Sequence, residues 1–335
     1  MHLHPNDEQA MLCDSIDRFA RDHADAGPDA VMSGLAELGV MALAVPEAAG
    51  GLDGRGDDLM VMAEAVGRAL LPVPLGATLA ALDLLGHTGS TTQQDRWLPD
   101  AIEGKARVVF ARLDAGRIDD GRLTAALPLV PGADRACALV LVDGDVAVIV
   151  ATDAPGVQIT PLRMADGTMG GRVQLVDAKV DPLPATPDAL RDSIARATAA
   201  NSAQMLGIMG RLLADTLDYV KTRQQFGTSI GSFQVIQHRM ARLFITTEMC
   251  RAVVMAAADR SGARHDWLRR VAAAQAYTAE QAMHLAHECV QFHGGMGITH
   301  ELAISRGHRQ LLVLARLFGT AADCRQAFDR ALAAG

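Results

Sequence analysis

The feature that most constrains this chain is a change in the period of its apolar residues. Up to about residue 104, and again from about 184, apolar side chains recur every three or four positions, the repeat of one helix face. Between Arg107 and Val180 the pattern breaks into short runs rich in Val, Leu and Ile, separated by Gly, Asp and Pro. The runs are Val108 to Leu113, Leu123 to Val130, Ala138 to Val142, Val146 to Val150, Val157 to Leu162 and Arg172 to Val180, with Asp143-Gly144 as a hairpin signal. The expected fold class is therefore α+β and multidomain: helices over 1–104, a β-domain over 105–183 and a long-helix bundle over 184–335. In the first segment, Asn6 or Asp7 caps a helix bearing Met11, Leu12, Ile16 and Phe19 on one face. A short helix from Val31 to Leu38 ends at Gly39, Asp57 caps Leu59 to Leu70, and two more helices run from Leu75 to Leu85 and from Gln93 to Ile102. After the Pro-rich stretch from Asp181 to Asp188, helices are expected at about 188–222, 232–261, 266–292, 300–317 and 320–333.

The last segment is interrupted at Tyr219 to His238, YVKTRQQFGTSIGSFQVIQH. Upstream, Met205, Ile208, Met209, Leu212, Leu213, Leu217 and Val220 keep helical spacing; downstream, Phe233, Ile236, Met240, Leu243 and Phe244 resume it. Gly227 and Gly231 break the pattern, and Ser232 can cap the second helix. Arg223 and Phe226 then stand at the mouth of a helical hairpin, where side chains can meet a ligand or a second chain. Taken alone, Arg223 and Lys221 read more readily as cations that neutralise a helix carbonyl end. Taken alone, Gly294-Gly295-Met-Gly297 reads equally well as a helix stop.

The 335 residues, half of them hydrophobic, suffice for two or three domains. A net charge of -8 argues against nucleic acid, and no basic run suggests a membrane surface. The strongest apolar run, Ala136 to Ala151, is broken by Asp143-Gly144-Asp145 and is too short to span a bilayer. The polar start MHLHPNDEQ has no signal-peptide core, so a soluble cytoplasmic protein is expected. Five scattered cysteines show neither CxxC nor zinc spacing. Glu280, His284, His287, Glu288 and His293 share one helical stretch, but a dimetal bundle requires Glu-x-x-His from two helices. Glu280 and His284 are spaced i,i+4 with no second copy, so no metal is expected.

Tyr219-x-x-x-Arg223-x-x-Phe226-Gly227, Gly231-x-Phe233-Gln234 and Gln291-Phe-His-Gly-Gly-Met-Gly-Ile298 together resemble the C-terminal domain of the acyl-CoA dehydrogenases. The likeness runs from about Asp188 to Thr320, and Val45-Pro-Glu-x-x-Gly-Gly51 resembles an element of the family's N-terminal domain. The resemblance implies a helical domain, a β-domain and a long-helix bundle, with FAD at a subunit boundary. In that family one chain cradles the isoalloxazine, while its neighbour reaches the pyrophosphate and adenosine. The neighbour's contacts correspond to Arg223, Phe226, Gln291, Gly294 and Gly295, and Thr320 matches a further position that touches FAD. The chemistry is coherent: a guanidinium offers a rigid fork to phosphate oxygens, and paired glycines let backbone N–H groups approach closely.

The resemblance also implies what is missing. The family's flavin-side loop and strand, Thr-Glu-Pro-Gly-Ala-Gly-Ser-Asp-like and Trp-Ile-Thr-Asn-like, correspond to Phe110-Ala-Arg-Leu-Asp-Ala-Gly116 and Leu129-Val-Pro-Gly-Ala133. Neither carries the Thr hydroxyl or the Trp. Flavin-dependent α,β-dehydrogenation needs a carboxylate to remove the α-proton while hydride leaves the β-carbon. The usual Glu slot reads Phe318; the alternative slot on the first long C-terminal helix reads Ala197, flanked by Ala195 and Thr198 where the family contacts acyl-CoA. A shift of register on that helix would bring in Arg196 or Asp192. By resemblance, then, this is the non-catalytic subunit of a heteromeric α2β2 acyl-CoA dehydrogenase. A second acyl-CoA dehydrogenase chain would supply the isoalloxazine pocket, acyl-CoA channel and Glu, and electron-transferring flavoprotein would be the acceptor. A self-sufficient homo-oligomeric enzyme with a displaced base, and a cofactor-free scaffold or acyl-ligand-binding protein, stay open at this point.

Overall fold

A computed structural model of the chain describes residues 5–23, 26–113, 115–299 and 302–333. Asp114 in the Phe110–Gly116 stretch, and His300 and Glu301 at the head of the expected fourth bundle helix, lie outside them. In chain order the elements are α1 (Asp7–Asp22), α2 (Pro28–Glu37), α3 (Gly56–Arg68), α4 (Leu75–Thr88) and α5 (Thr91–Ile102). Eight strands follow: β1 (Val108–Arg112), β2 (Gly116–Asp119), β3 (Arg122–Pro131), β4 (Ala138–Asp143), β5 (Val146–Ala151), β6 (Val157–Arg163), β7 (Met169–Lys179) and β8 (Asp181–Pro182). The chain then runs through α6 (Pro187–Thr222), the short strands β9 (Gln224–Gln225) and β10 (Thr228–Ser229), α7 (Gln234–Ala258), α8 (Arg264–His293), α9 (Ala303–Leu317) and α10 (Ala321–Ala333). These residues group into two compact units, one drawn from 5–20, 60–71 and 198–333, the other from 21–59 and 72–197.

The second unit holds the β-structure. One sheet has the order β1-β4-β5-β8 and the other β2-β3-β7-β6. Among the described residues only β1 and β4 pair in parallel; Asp143-Gly144 makes the expected β4–β5 hairpin, with Asp143 opposite Val146 and Gly144 at φ +57°. Leu123, Leu127, Val130, Val173 and Leu175 of one sheet share a core with Leu139, Leu141, Val148 and Val150 of the other, and with Ala77 of α4. Each such Val or Leu contributes about 1.5–3 kcal/mol by leaving water. Two strands were not expected. β2 is exposed at all four positions, so it shows no alternation, and β8 places Pro182 in an edge strand. Helix starts also differ in detail. α3 begins at Gly56, ahead of Asp57, and Asp58 accepts the Arg55 N–H at 3.0 Å; Ser90 with Gln93 forms a capping box that starts α5 at Thr91.

The first unit is the helical bundle. Of the two candidate caps for α1, Asn6 serves: its Oδ1 accepts the Gln9 N–H at 2.8 Å, and Gln9 Oε1 accepts the Asn6 N–H at 3.0 Å. Ile16 is fully buried, whereas Met11 faces solvent instead of joining it. Residues 198–209 of α6 are buried without exception, which makes α6 the central helix. It crosses α3 at very short range: a Cβ on Gly67 would lie 2.0 Å from the Gln204 carbonyl oxygen, and one on Gly207 would lie 2.0 Å from that of Glu64. Inside, Ser202 Oγ and Asn201 Nδ2 donate to Gln275 Oε1 at 2.8 and 3.2 Å, and Asn201 also donates to the Leu314 carbonyl at 3.0 Å. α7 is apolar on both faces. Leu243, Cys250 and Val254 are buried, while Val235, Phe244, Ile245 and Met249 are exposed.

Candidate functional site

The elbow after α6 is built by local hydrogen bonds. The Arg223 N–H donates to the Tyr219 carbonyl (2.8 Å), and the Ile230 N–H returns to the Arg223 carbonyl (2.9 Å). Between them β9 and β10 pair antiparallel, Gln225 opposite Thr228. The two turn residues, Phe226 and Gly227, both have positive φ, 52° and 79°. That is a type I′ hairpin, a geometry that favours Asn-Gly. Phe226 at its tip is 92% exposed and meets Phe233 edge-on, with ring centroids 6.2 Å apart. Ser232 does not cap α7. Its hydroxyl donates to the Ser229 carbonyl at 2.7 Å, closing a single 3-10 turn, and Phe233 takes the cap position without a side-chain hydrogen bond.

The end of α8 meets this elbow. His293 stacks on Tyr219, ring centroids 4.2 Å apart and planes 23° from parallel, and its Nδ1 lies 2.8 Å from the Cys289 carbonyl oxygen. Gly294 then turns the chain with φ +59°. A Cβ on Gly294 or Gly295 would meet nothing within 4 Å, and the Gly294 N–H donates to the Gln291 carbonyl; a Cβ on Gly297 would lie 2.7 Å from the Val290 carbonyl oxygen. The 294–298 turn and the elbow together border a cleft of about 590 Å³. Tyr219, Arg223, Gln291, His293, Gly294 and Gly295 line it, with Gln225, Ile230, Phe292, Met296 and Thr299.

No carboxylate lies among those lining residues, and among the described residues the Arg223 guanidinium has no ion-pair or hydrogen-bond partner. A free fork of donors and a primary amide suit an anion with several oxygens. Four of the six candidate cofactor residues, Arg223, Gln291, Gly294 and Gly295, are thus brought together. Phe226 and Thr320 are not in the lining. Thr320 caps α10: its N–H and Oγ1 donate to Asp323 Oδ2 at 2.8 and 2.7 Å. Tyr219 and His293 border the cleft although neither had been assigned a part in it. The i,i+4 spacing of Tyr219 and Arg223, which puts both on one helix face, was the available signal.

The other candidates have different partners. Glu280 pairs with Arg325, Glu288 with Arg239 at 2.8 Å, and the His287 ring meets that of His308. The Arg239 hydrogen bond holds the Glu288 carboxyl below its ordinary range. Phe318 is buried at the C-terminal cap of α9, and Ala197 is buried in α6. Beside Ala197, Arg196 is committed to Asp83 of α4 through two hydrogen bonds, 2.6 and 2.5 Å, and to Ser193 Oγ at 2.9 Å. Asp192 is half-buried.

Comparison with known proteins bears on the family and the fold. Residues 6–105 match the model described as acyl-CoA dehydrogenase, N-terminal domain, and residues 189–332 match the acyl-CoA dehydrogenase, C-terminal domain. Acyl-CoA dehydrogenase IpdE2 of Mycobacterium tuberculosis is 32% identical over 321 residues, covering 89% of this chain and 88% of the relative. Among solved structures, a variant of the Tcur3481-Tcur3483 steroid ACAD superposes with TM-score 0.88 at 27% identity, covering 98% of both chains. The ChsE4-ChsE5 complex from Mycobacterium tuberculosis superposes with TM-score 0.87 at 25% identity, covering 100% of both. The chain belongs to the acyl-CoA dehydrogenase family of oxidoreductases, whose cofactor is FAD.

Proposed function

We propose that this chain is a subunit of a heteromeric flavin-dependent acyl-CoA dehydrogenase, completing the FAD site of a partner chain in trans without carrying a catalytic base. The observation that carries the reading is the contrast between a cleft that gathers Arg223, Gln291, Gly294 and Gly295 and base slots filled by Phe318 and Ala197. The cleft fits the diphosphate half of FAD: it offers a guanidinium with no partner among the described residues, the Gln291 amide and, among its lining residues, no carboxylate. Arg223 would hold the pyrophosphate, Gln291 and the Gly294-Gly295 turn would orient it, and Phe226 and Thr320 would contribute from outside the cleft lining. Bound FAD supplies the hydride acceptor for α,β-dehydrogenation of an acyl-CoA thioester. The α-proton goes to a carboxylate of the partner, because neither a phenyl ring nor a methyl group accepts one.

The exposed apolar side of α7 and the exposed ring of Phe226 support an assembled state. The steroid ACAD and the two-component ChsE4-ChsE5 complex among the similar structures support an α2β2 heterotetramer acting on the CoA thioester of a steroid side chain or another bulky acid. In this reading the segments 1–104, 105–183 and 184–335 are the three family domains, and electron-transferring flavoprotein accepts the electrons. Among the described residues no helix is long and apolar enough to cross a membrane.

The test is co-expression with a candidate partner acyl-CoA dehydrogenase chain, wild type against Arg223→Ala. The wild-type pair should purify yellow, and the variant should lose flavin, with FAD affinity down at least about tenfold for a charge-assisted contact. Equal flavin retention refutes the trans site. A yellow homo-oligomer bleached by an acyl-CoA, with this chain alone, refutes the heteromeric reading.

A further inference from the structure

The cleft lies where the end of α6, the elbow and the end of α8 meet, and α7 carries the elbow back into the bundle. Its shape therefore depends on how these ends are held. The His293–Tyr219 stack ties the end of α8 to α6. On the α7 side, the side chain that reaches the end of α8 is Arg239, in the second turn after the elbow.

The Arg239 guanidinium makes two contacts on α8, one helical turn apart. Its Nε donates to Glu288 Oε2 at 2.8 Å, and its Cζ lies over the Phe292 ring, 4.5 Å from the centroid. Residues four apart share one helix face, so one planar group engages both at once. Arg239 and Glu288 are half-buried and Phe292 is buried, which makes both contacts stronger than they would be in water. Phe292 is also a wall of the cleft, and Gln291 stands next to it. The Gly294 N–H donates to the Gln291 carbonyl, so a shift of the last turn of α8 carries the Gln291 residue and the glycine turn with it. Arg239 is not itself among the lining residues.

We infer that Arg239 is a positioning residue for the cofactor cleft: it clamps the last turn of α8 against α7, so that Gln291 and the glycine turn keep their place in the cleft beside Arg223. The inference rests on the trans-site reading and adds a residue that works through others. The co-expressed assembly is stripped of flavin, and FAD rebinding is followed by flavin fluorescence. Arg239→Met keeps an aliphatic stem and removes both contacts; it should weaken FAD binding about tenfold, the scale of one hydrogen bond to a charged group. Arg239→Lys keeps a cation for Glu288 without the flat group over Phe292, and should recover part of the loss. Arg239→Met combined with Gln291→Ala should weaken binding by less than the product of the two separate losses, because both act at one turn of α8.

A residue that only stabilises the chain would lower the urea midpoint and leave the FAD affinity of the folded assembly at wild type. That result in Arg239→Met, with Arg223→Ala weakened, overturns the inference and leaves the trans site standing; so does a full product in the double variant. Wild-type affinity in Arg223→Ala overturns the trans site instead. Glu288→Gln breaks the ion pair from the α8 side with a side chain of nearly the same shape. It should weaken FAD binding in the same direction, and if Arg239→Met does not assemble, unchanged affinity in Glu288→Gln is enough to reject the clamp.

Discussion

Replacing Phe226 by Asn should make the free chain more stable and its grip on flavin weaker. Phe226 sits at φ +52°, next to Gly227 at φ +79°, in a two-residue turn whose geometry favours Asn-Gly. A left-handed conformation costs an L-residue about 1–2 kcal/mol, and Asn relieves part of that through its short polar side chain. The ring offers little to set against the strain. It is 92% exposed, and its edge contact with Phe233 is worth about 0.5 kcal/mol. The net gain for Phe226→Asn is about 0.5–1 kcal/mol, or roughly 1–3 °C in melting temperature for a chain of this size. The assay is urea unfolding of the purified chain, where the midpoint should rise with an unchanged slope. In the flavin-loaded assembly, loss of an aromatic contact worth about 1–3 kcal/mol should lower FAD affinity roughly fivefold or more. A lower midpoint would mean that packing within the chain holds the ring. A higher midpoint with unchanged flavin affinity would separate the strain from the cofactor.

Two further substitutions test the packing that positions the site. Gly207→Ala puts a methyl 2.0 Å from the Glu64 carbonyl oxygen, so α3 and α6 must move apart; it should destabilise the chain by about 2–4 kcal/mol, and a change below about 0.5 kcal/mol in urea unfolding would disprove the close crossing. Arg196→Met leaves Asp83 buried without its partner and should cost about 3–5 kcal/mol, most of it recovered in the double variant with Asp83→Leu; equal stability of the single variant and wild type would show that the pair is not the buried clasp described.

The fold was legible because the apolar period changes twice, at about 105 and 184, and few architectures satisfy both changes. What escaped the pattern lacked it physically. β2 has no buried face, and β8 is two residues with a proline. Ser232 has a cap residue's chemistry, but its hydroxyl is engaged by the Ser229 carbonyl one turn before α7 begins. At the site, Arg223, Gln291, Gly294 and Gly295 were legible through family motifs, and their convergence is geometric. The stack of His293 on Tyr219 was not legible. It joins the ends of two helices far apart in sequence, and each residue alone reads as ordinary helix surface or core.

Departures from local rules single out the elbow more sharply than any motif does. Among the described residues, the non-glycine positions with positive φ are Asp53, Leu70, Asp120, Asp177 and Phe226. Aspartate tolerates this region because its carboxylate can bond the nearby backbone. Leu70 is buried, and the side chain of Gln310 holds its carbonyl at 3.1 Å, so packing and a hydrogen bond offset its strain. Phe226 has neither remedy: it is aromatic, left-handed and in solvent. Beside it, Arg223 is a cation without an anion, and Phe233 begins α7 without a side-chain cap. In the other unit, around Ala197, the polar chemistry is closed instead, with Arg196, Asp83 and Ser193 satisfying one another. A chain selected only for its own stability would relax the elbow and could keep the clasp. Keeping the elbow's costs makes physical sense when something outside the chain offsets them, and a dinucleotide held against a partner subunit would do so at all three residues.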